Sequence, residues 1–160
     1  MGAGILPLAS YKGKIYFLFS RETKDKSYKD SGLWSDFGGS SEKGEGFFDT
    51  AVRECWEESM GIMGTKKDIK YILNKFTEGT VEINGYKTYI VMMKYNKDII
   101  KKFDDHYKKG LKNNKNNIGK NGFYEKDKIK WIEIKDLKKN MKMFRPFYKS
   151  VIYKLIKIYN

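Results

Sequence analysis

Hydrophobic positions divide the chain into short strands and a few helices. Gly4–Ser10, a nearly continuous apolar run, predicts a first strand. Lys14–Ser20, with Ile15, Tyr16, Phe17, Leu18 and Phe19, predicts a second strand. Residues 23–33 are polar and read as a loop, and Trp34–Gly39 as a short strand or turn ending in Gly38 and Gly39. Phe47–Met60 predicts a helix, because Phe48, Ala51, Val52 and Cys55 follow i, i+3, i+4, i+7 spacing. Lys70–Thr77, Val81–Asn84 and Tyr86–Tyr95 read as strands, with Asn84 and Gly85 as a hairpin turn signal. Asp98–His106 starts like a helix, but Lys108–Asn121 is a Lys/Asn/Gly tract for which no regular structure is expected. Lys128–Ile134 predicts a strand and Phe144–Tyr159 an amphipathic helix with Pro146 in its first turn. Phe144, Phe147, Tyr148, Val151, Ile152, Leu155 and Tyr159 form that helix's packing stripe. With no internal repeat, residues 1–160 read as one α+β domain carrying a Lys/Asn-rich insertion at about 97–122.

Composition narrows the chemistry. A single Cys excludes an internal disulfide and any zinc site built on cysteines. A single His, His106, sits in a Lys-rich stretch without an obvious catalytic partner. The N-terminus lacks the basic start of a signal peptide, and Leu6 stands where a myristoylation motif needs Ser or Thr. No apolar run approaches the ~20 residues of a membrane span. A soluble, reduced, intracellular and cytoplasmic protein without membrane contact is the expectation.

The formal charge is +13, and its distribution is uneven. Residues 1–96 hold 14 basic and 13 acidic side chains, whereas residues 97–160 hold 19 basic and seven acidic. The C-terminal part therefore carries a net +12, a field that attracts polyanions unless it reflects compositional bias toward Lys and Asn. Against that background the three arginines, Arg21, Arg53 and Arg145, stand out.

The informative segment is Gly38 to Ile62, GGSSEKGEGFFDTAVRECWEESMGI. On a helix Glu54, Glu57 and Glu58 project from one face, adjacent to the apolar stripe. Three carboxylates on one turn repel, and Arg53 or a hard divalent cation would offset that repulsion. Gly38 and Gly39 allow close backbone approach and a carbonyl ligand. The full spacing, Gly-x5-Glu-x7-Arg-Glu-x2-Glu-Glu, arises by chance in roughly one chain of this length in 10⁵ at average residue usage.

This segment resembles the Nudix box of the Nudix hydrolase family, with Gly39, Glu45, Arg53, Glu54, Cys55, Glu57 and Glu58 on the matching positions. Met60 replaces the family's final Gly and Gly61 follows one residue late, so the helix exit is expected to be shifted or one residue longer. The resemblance implies a Nudix-type α/β/α sandwich with a central mixed sheet. It implies Mg²⁺, with Mn²⁺ as a substitute, held by Glu57, Glu58, Glu54 or its water, and the Gly38 carbonyl. Arg53 and Glu45 would orient these carboxylates. Glu125, in a loop before the strand with Trp131, is the candidate for a further metal-binding or catalytic Glu. Arg21 is the candidate for a phosphate contact. The general base stays open between Glu54 and Glu125.

The implied reaction is hydrolysis of a phosphoanhydride in a nucleoside diphosphate linked to another group. The basic C-terminal part favours capped or 5′-phosphorylated RNA, a decapping-type substrate. Tyr107, Phe123, Tyr124 and Trp131 are candidates for base stacking. The alternatives are free nucleotides, dinucleoside polyphosphates or inositol pyrophosphates, and a non-catalytic polyanion-binding domain. Oligomeric state is not readable from the sequence.

Overall fold

The strand β1 (Gly2–Tyr11) runs through the middle of the molecule, and its first eight residues are buried. In a computed structural model, residues 1–24, 27–113 and 122–160 are described. β1 pairs parallel with β6 (Tyr86–Met92) on one side. On the other it pairs antiparallel with β2 (Lys14–Glu22) at one end and β4 (Phe37–Ser40) at the other. β5 (Thr77–Ile83) pairs with β6, and β3 (Trp34–Ser35) and β7 (Lys126–Glu133) pair with β2. The result is a mixed seven-stranded sheet.

Two apolar clusters cover its faces. One joins Leu6, Phe17, Phe19, Val81 and Ile90 to Phe144, Tyr148, Val151, Ile152 and Leu155 of the C-terminal segment. The other joins Ala3, Ile5, Leu18 and Ile129 to Ala51, Val52 and Cys55 of α1 (Phe47–Glu58), Ile69 and Leu73 of α2 (Lys66–Phe76) and Phe103 of α3 (Asp98–Asn113). With α4 (Lys149–Tyr159) on the opposite face, the sheet lies between helices, as the resemblance implied. Among the described residues no helix is long and apolar enough to cross a membrane.

Three elements differ from expectation. Lys70–Thr77, expected as a strand, lies almost wholly in α2, whose start carries a reciprocal Thr65–Asp68 capping box. Ile69, Ile72, Leu73 and Phe76 repeat at helical spacing there, a signal outweighed by the short apolar run around Tyr71. The second difference is α3, which continues through Lys108 to Asn113 because Ile99, Phe103, Tyr107 and Leu111 make one sparse stripe. The remainder of the Lys/Asn tract, 114–121, lies outside the described residues. Third, the C-terminal helix begins at Lys149, after a 3₁₀ turn over Pro146–Tyr148, and Phe147 is exposed instead of joining the core stripe.

Met60 lies in the exit turn of α1. The helix ends at Glu58, and Met60 takes a left-handed conformation with φ 54°, followed by Gly61 at φ 74°. The Gly61 N–H donates to the Trp56 carbonyl and the Met60 N–H to that of Glu57. A side chain in this conformation costs about 1 kcal/mol or more. Met60 is only 7% exposed, and that burial offsets the strain.

Candidate active site

The pocket forms where α1 lies across β4. Ala3 pairs with Gly39 and Gly4 with Gly38, so two strands meet almost without side chains. A Cβ on Gly39 would stand 2.6 Å from the Glu54 carboxylate, and one on Gly38 would strike Gly4 and the Tyr86 hydroxyl. The two glycines therefore let the carboxylate face of α1 approach the sheet. Asp36 fixes β4 from below. Its buried carboxylate accepts hydrogen bonds from the Tyr86 hydroxyl at 2.6 Å and Thr88 Oγ1 at 2.8 Å, and burial pushes its pKa to about 6.

The pocket encloses about 440 Å³ and is lined by Glu22, Gly38, Gly39, Glu54, Glu58 and Glu125, with Thr23, Tyr28, Ser40, Tyr124 and Arg145. Glu54 and Glu58 are 8% and 3% exposed. Burial raises the Glu54 pKa to about 7, with Arg53 opposing and Glu57 and Glu125 adding. Burial also raises Glu58 well above the usual carboxylate range. Glu125 is raised by burial and by the charges of Glu22 and Glu57.

Arg53 braces the carboxylates from the outer side. Its Nε and Nη2 clamp Glu45 at 2.6 and 3.0 Å, while Nη1 donates to Glu54 at 2.9 Å and Glu57 at 3.2 Å. Nη2 also donates to the Ser40 carbonyl at 2.9 Å, tying α1 to β4. The Arg53 hydrogen bonds hold Glu45 down at about 2. Glu57 stands at the rim beside Arg53, outside the pocket lining.

A second cation sits beneath the pocket. Lys126 has 0% exposure, and its Nζ donates to Glu22 at 2.8 Å and Ser35 Oγ at 3.2 Å, with Glu58 at 3.8 Å. Burial works against its charge, but Glu58 and Glu22 outweigh that cost and keep it protonated. Arg145 closes the other flank, donating to Glu22 and Asp30 at 2.9 Å each and to the Tyr28 hydroxyl at 2.9 Å. Sequence reading missed Glu22, Lys126, Tyr28 and Arg145. Only the scarcity of Arg in this chain singled out Arg145, since these residues meet through strand pairing and the C-terminal return.

Glu125 reaches the pocket through tertiary contacts. The Thr23 N–H donates to the Glu125 carbonyl at 2.9 Å and Thr23 Oγ1 to that of Tyr124 at 2.8 Å. The Tyr124 ring packs on α3 at Gly110, where any side chain would collide with it. The Lys-rich helix thus buttresses the loop carrying Glu125. Tyr107, Phe123 and Tyr124 pack against Phe103, Trp56 and one another, and Tyr124 also borders the pocket. Arg21 is placed away from the pocket lining, with its Nε on Asp127 at 2.7 Å and its guanidinium over Trp34.

Among the described residues, no three His, Cys, Asp or Glu side chains form a ready-made metal group. Arg53 engages Glu54 and Glu57, and the Gly38 N–H donates to Glu58 Oε2 at 2.7 Å. The donor set still suits a hard divalent cation. It is all oxygen, and it concentrates carboxylates whose charge is opposed by burial and by one another. Glu54, Glu58 and Glu125, with the backbone at Gly38, line the pocket and would hold it, with Glu57 beside Glu54 at the rim.

The NUDIX domain family model matches residues 1–155. "Uncharacterized protein L534" of Acanthamoeba polyphaga mimivirus is 35% identical over 104 residues, 64% of this chain. The match spans only 30% of that relative's length. Among solved structures, the Caenorhabditis elegans Ap4A hydrolase binary complex aligns with TM-score 0.52 at 19% identity, covering 96% of this chain and 93% of that one. The Mycobacterium smegmatis Nudix hydrolase RenU aligns with TM-score 0.55 at 15% identity, covering 98% and 84%. The NUDIX domain of Shewanella oneidensis NrtR, complexed with ADP ribose, aligns with TM-score 0.52 at 14% identity, covering 98% and 82%. At these identities the structures speak for the fold.

Proposed function

The chain belongs to the NUDIX family of hydrolases of phosphorus-containing anhydrides, and on that premise we propose that it is a Mg²⁺-dependent decapping-type enzyme. Its substrate in this reading is a 5′-capped or 5′-phosphorylated RNA. One observation carries the reaction: Glu54, Glu58, Glu125 and Glu22 converge on one pocket with the Gly38–Gly39 backbone. The names of the Ap4A hydrolase and the ADP-ribose complex support a nucleotide-linked diphosphate as the group that is cut. The net +12 after Asn96 supports a long polyanion over a free nucleotide.

A bound Mg²⁺ would neutralise phosphate oxygens and acidify water there. The protein's own groups divide the remaining work. Glu54, Glu58 and Glu125, with Glu57 at the rim, would hold the cation, and Arg53, clamped by Glu45, orients Glu54 and Glu57. Glu54 and Glu125 both line the pocket and both are shifted toward higher proton affinity, so either suits the general base. In the chemical step, water adds to phosphorus, its proton passes to that carboxylate, and one bridging P–O bond breaks. Arg145 and Tyr28 stand where they would meet the departing phosphate or its nucleoside.

The test is a hydrolysis panel in Mg²⁺ with capped RNA, dinucleoside polyphosphates, ADP-ribose and inositol pyrophosphates. Turnover of capped RNA is expected, abolished by chelation and lowered about 10²–10³-fold in Glu58→Gln. Turnover of the small substrates without capped RNA would overturn the decapping reading. Unchanged turnover in folded Glu54→Gln and Glu58→Gln proteins would overturn the site.

A further inference from the structure

β7 leaves the candidate pocket beside Glu125 and runs along the sheet edge to Trp131, six residues on. At ~3.3 Å per residue that is about 20 Å. Lys128 and Lys130 are exposed along this edge, and Lys130 is near enough to Asp136 to help Lys139 hold its carboxyl below the usual range. Lys128 and Lys130 stand on the strand face opposite Trp131, but Lys130 and Trp131 together line a small cleft of about 190 Å³ with Tyr16 and Glu133.

At the far end lies a second cleft of about 420 Å³, lined by Met93, Lys94, Tyr95, Asn96, Ile99 and Trp131. The Trp131 indole N–H donates to the Asn96 carbonyl at 2.9 Å, which fixes the ring as a wall. Tyr95 lies 5.2 Å from it, centroid to centroid, and stacks on Tyr11 at 4.5 Å with planes 15° apart. Tyr16 completes the group at 4.9 Å from Tyr95. Tyr11, Tyr16 and Tyr95 belong to neither core cluster, and Tyr11 is 39% exposed. Core packing therefore does not account for them. Lys94 lines the cleft and Lys12 lies over the Tyr11 ring at 5.3 Å. The carboxylates nearby are largely matched: Glu133 pairs with Lys135 at 3.4 Å and Asp136 with Lys139 at 2.7 Å, leaving exposed Asp98 at the start of α3.

We propose that the β7 edge is a track for the body of a single-stranded RNA whose 5′ anhydride lies in the candidate pocket, and that the Tyr95–Trp131 cleft receives one of its bases. The proposal rests on the decapping reading and gives it a physical length. Base–aromatic stacking is worth about 1–3 kcal/mol per base and tolerates any sequence, while lysines follow the phosphates. A free nucleotide in the pocket cannot reach a cleft about 20 Å away. Only a chain substrate gains from both.

The experiment compares a capped twelve-nucleotide RNA with a dinucleoside polyphosphate, on the full chain, for binding against salt and for kcat/KM. In the triple variant Lys94→Glu, Lys128→Glu, Lys130→Glu, RNA affinity is expected to fall at least tenfold. The slope of log K against log salt should shrink by about 2, three contacts at ~0.7 each. Trp131→Leu keeps an apolar side chain on the sheet and, checked by thermal melting, should weaken RNA while Trp131→Phe restores it. No loss on RNA, or an equal loss on the dinucleoside polyphosphate, overturns the track. Cleavage of capped RNA with no effect of these variants sinks the track and leaves decapping standing. Failure of the wild-type protein to bind or cut RNA sinks both.

Discussion

Arg53 and Lys126 both counter the carboxylates of the candidate pocket, but they do so in opposite surroundings. Arg53 lies on the helix that carries the acids, partly open to water, with a bidentate grip on Glu45. Lys126 comes from a strand 68 positions after Glu58 in the chain and is wholly enclosed with Glu22, Ser35 and Glu58. The first network is local in sequence and its ion pairs are partly screened. The second is closed by the fold, and its desolvated charges have no water to fall back on. Removing one partner should therefore hurt the second far more.

The largest expected effect follows directly. Lys126→Met leaves Glu22 and Glu58 buried without their shared cation and should cost about 3 kcal/mol, near the lower end for a broken buried pair because Arg145 still holds Glu22. Thermal unfolding would fall by roughly 10 °C. A loss below about 1 kcal/mol would show the two networks to be alike.

Next comes Glu45→Gln, with an expected cost of about 1–2 kcal/mol at pH 7 from weakened charge-assisted hydrogen bonds. The sign of its pH dependence is set. Glu45 titrates at about 2 when folded, below its ordinary 4.5, so its contribution is full above pH 4.5 and is lost as pH falls toward 2. Denaturant titrations across pH 5 to 2 should therefore show a shallower decline in Glu45→Gln than in wild type. Parallel declines would remove Arg53–Glu45 as a stabilising pair.

The smallest effect belongs to Met60→Gly. It relieves a left-handed side-chain conformation but gives up a buried thioether, and the two should nearly cancel, within about 1 kcal/mol. A stabilisation beyond 2 kcal/mol in chemical denaturation would mean that the Met side chain packs for nothing.

What was legible in the sequence shares one property: close spacing along the chain. The α1 carboxylates, Arg53, Glu45 and the glycine pair lie within twenty-one residues, and helical periodicity put them in order. The same rule, applied to Ile69, Ile72, Leu73 and Phe76, would have shown α2, and applied to Ile99, Phe103, Tyr107 and Leu111 would have extended α3. Glu125 was singled out by its place before Trp131, but nothing local revealed that Thr23 and α3 hold its loop at the pocket.

The sequence by itself determined an α+β chain with an acidic helix face beside a glycine pair, because both depend on residues a few positions apart. Tertiary structure alone decided that Glu22, Lys126 and Arg145 would close around that face. It also decided that Arg21 would be spent on Asp127 and that four aromatic rings would gather at the far end of β7. The reason is physical. Helical spacing is a local property of the backbone, whereas a buried lysine or a shared carboxylate exists only once strands distant in sequence have paired and excluded water between them.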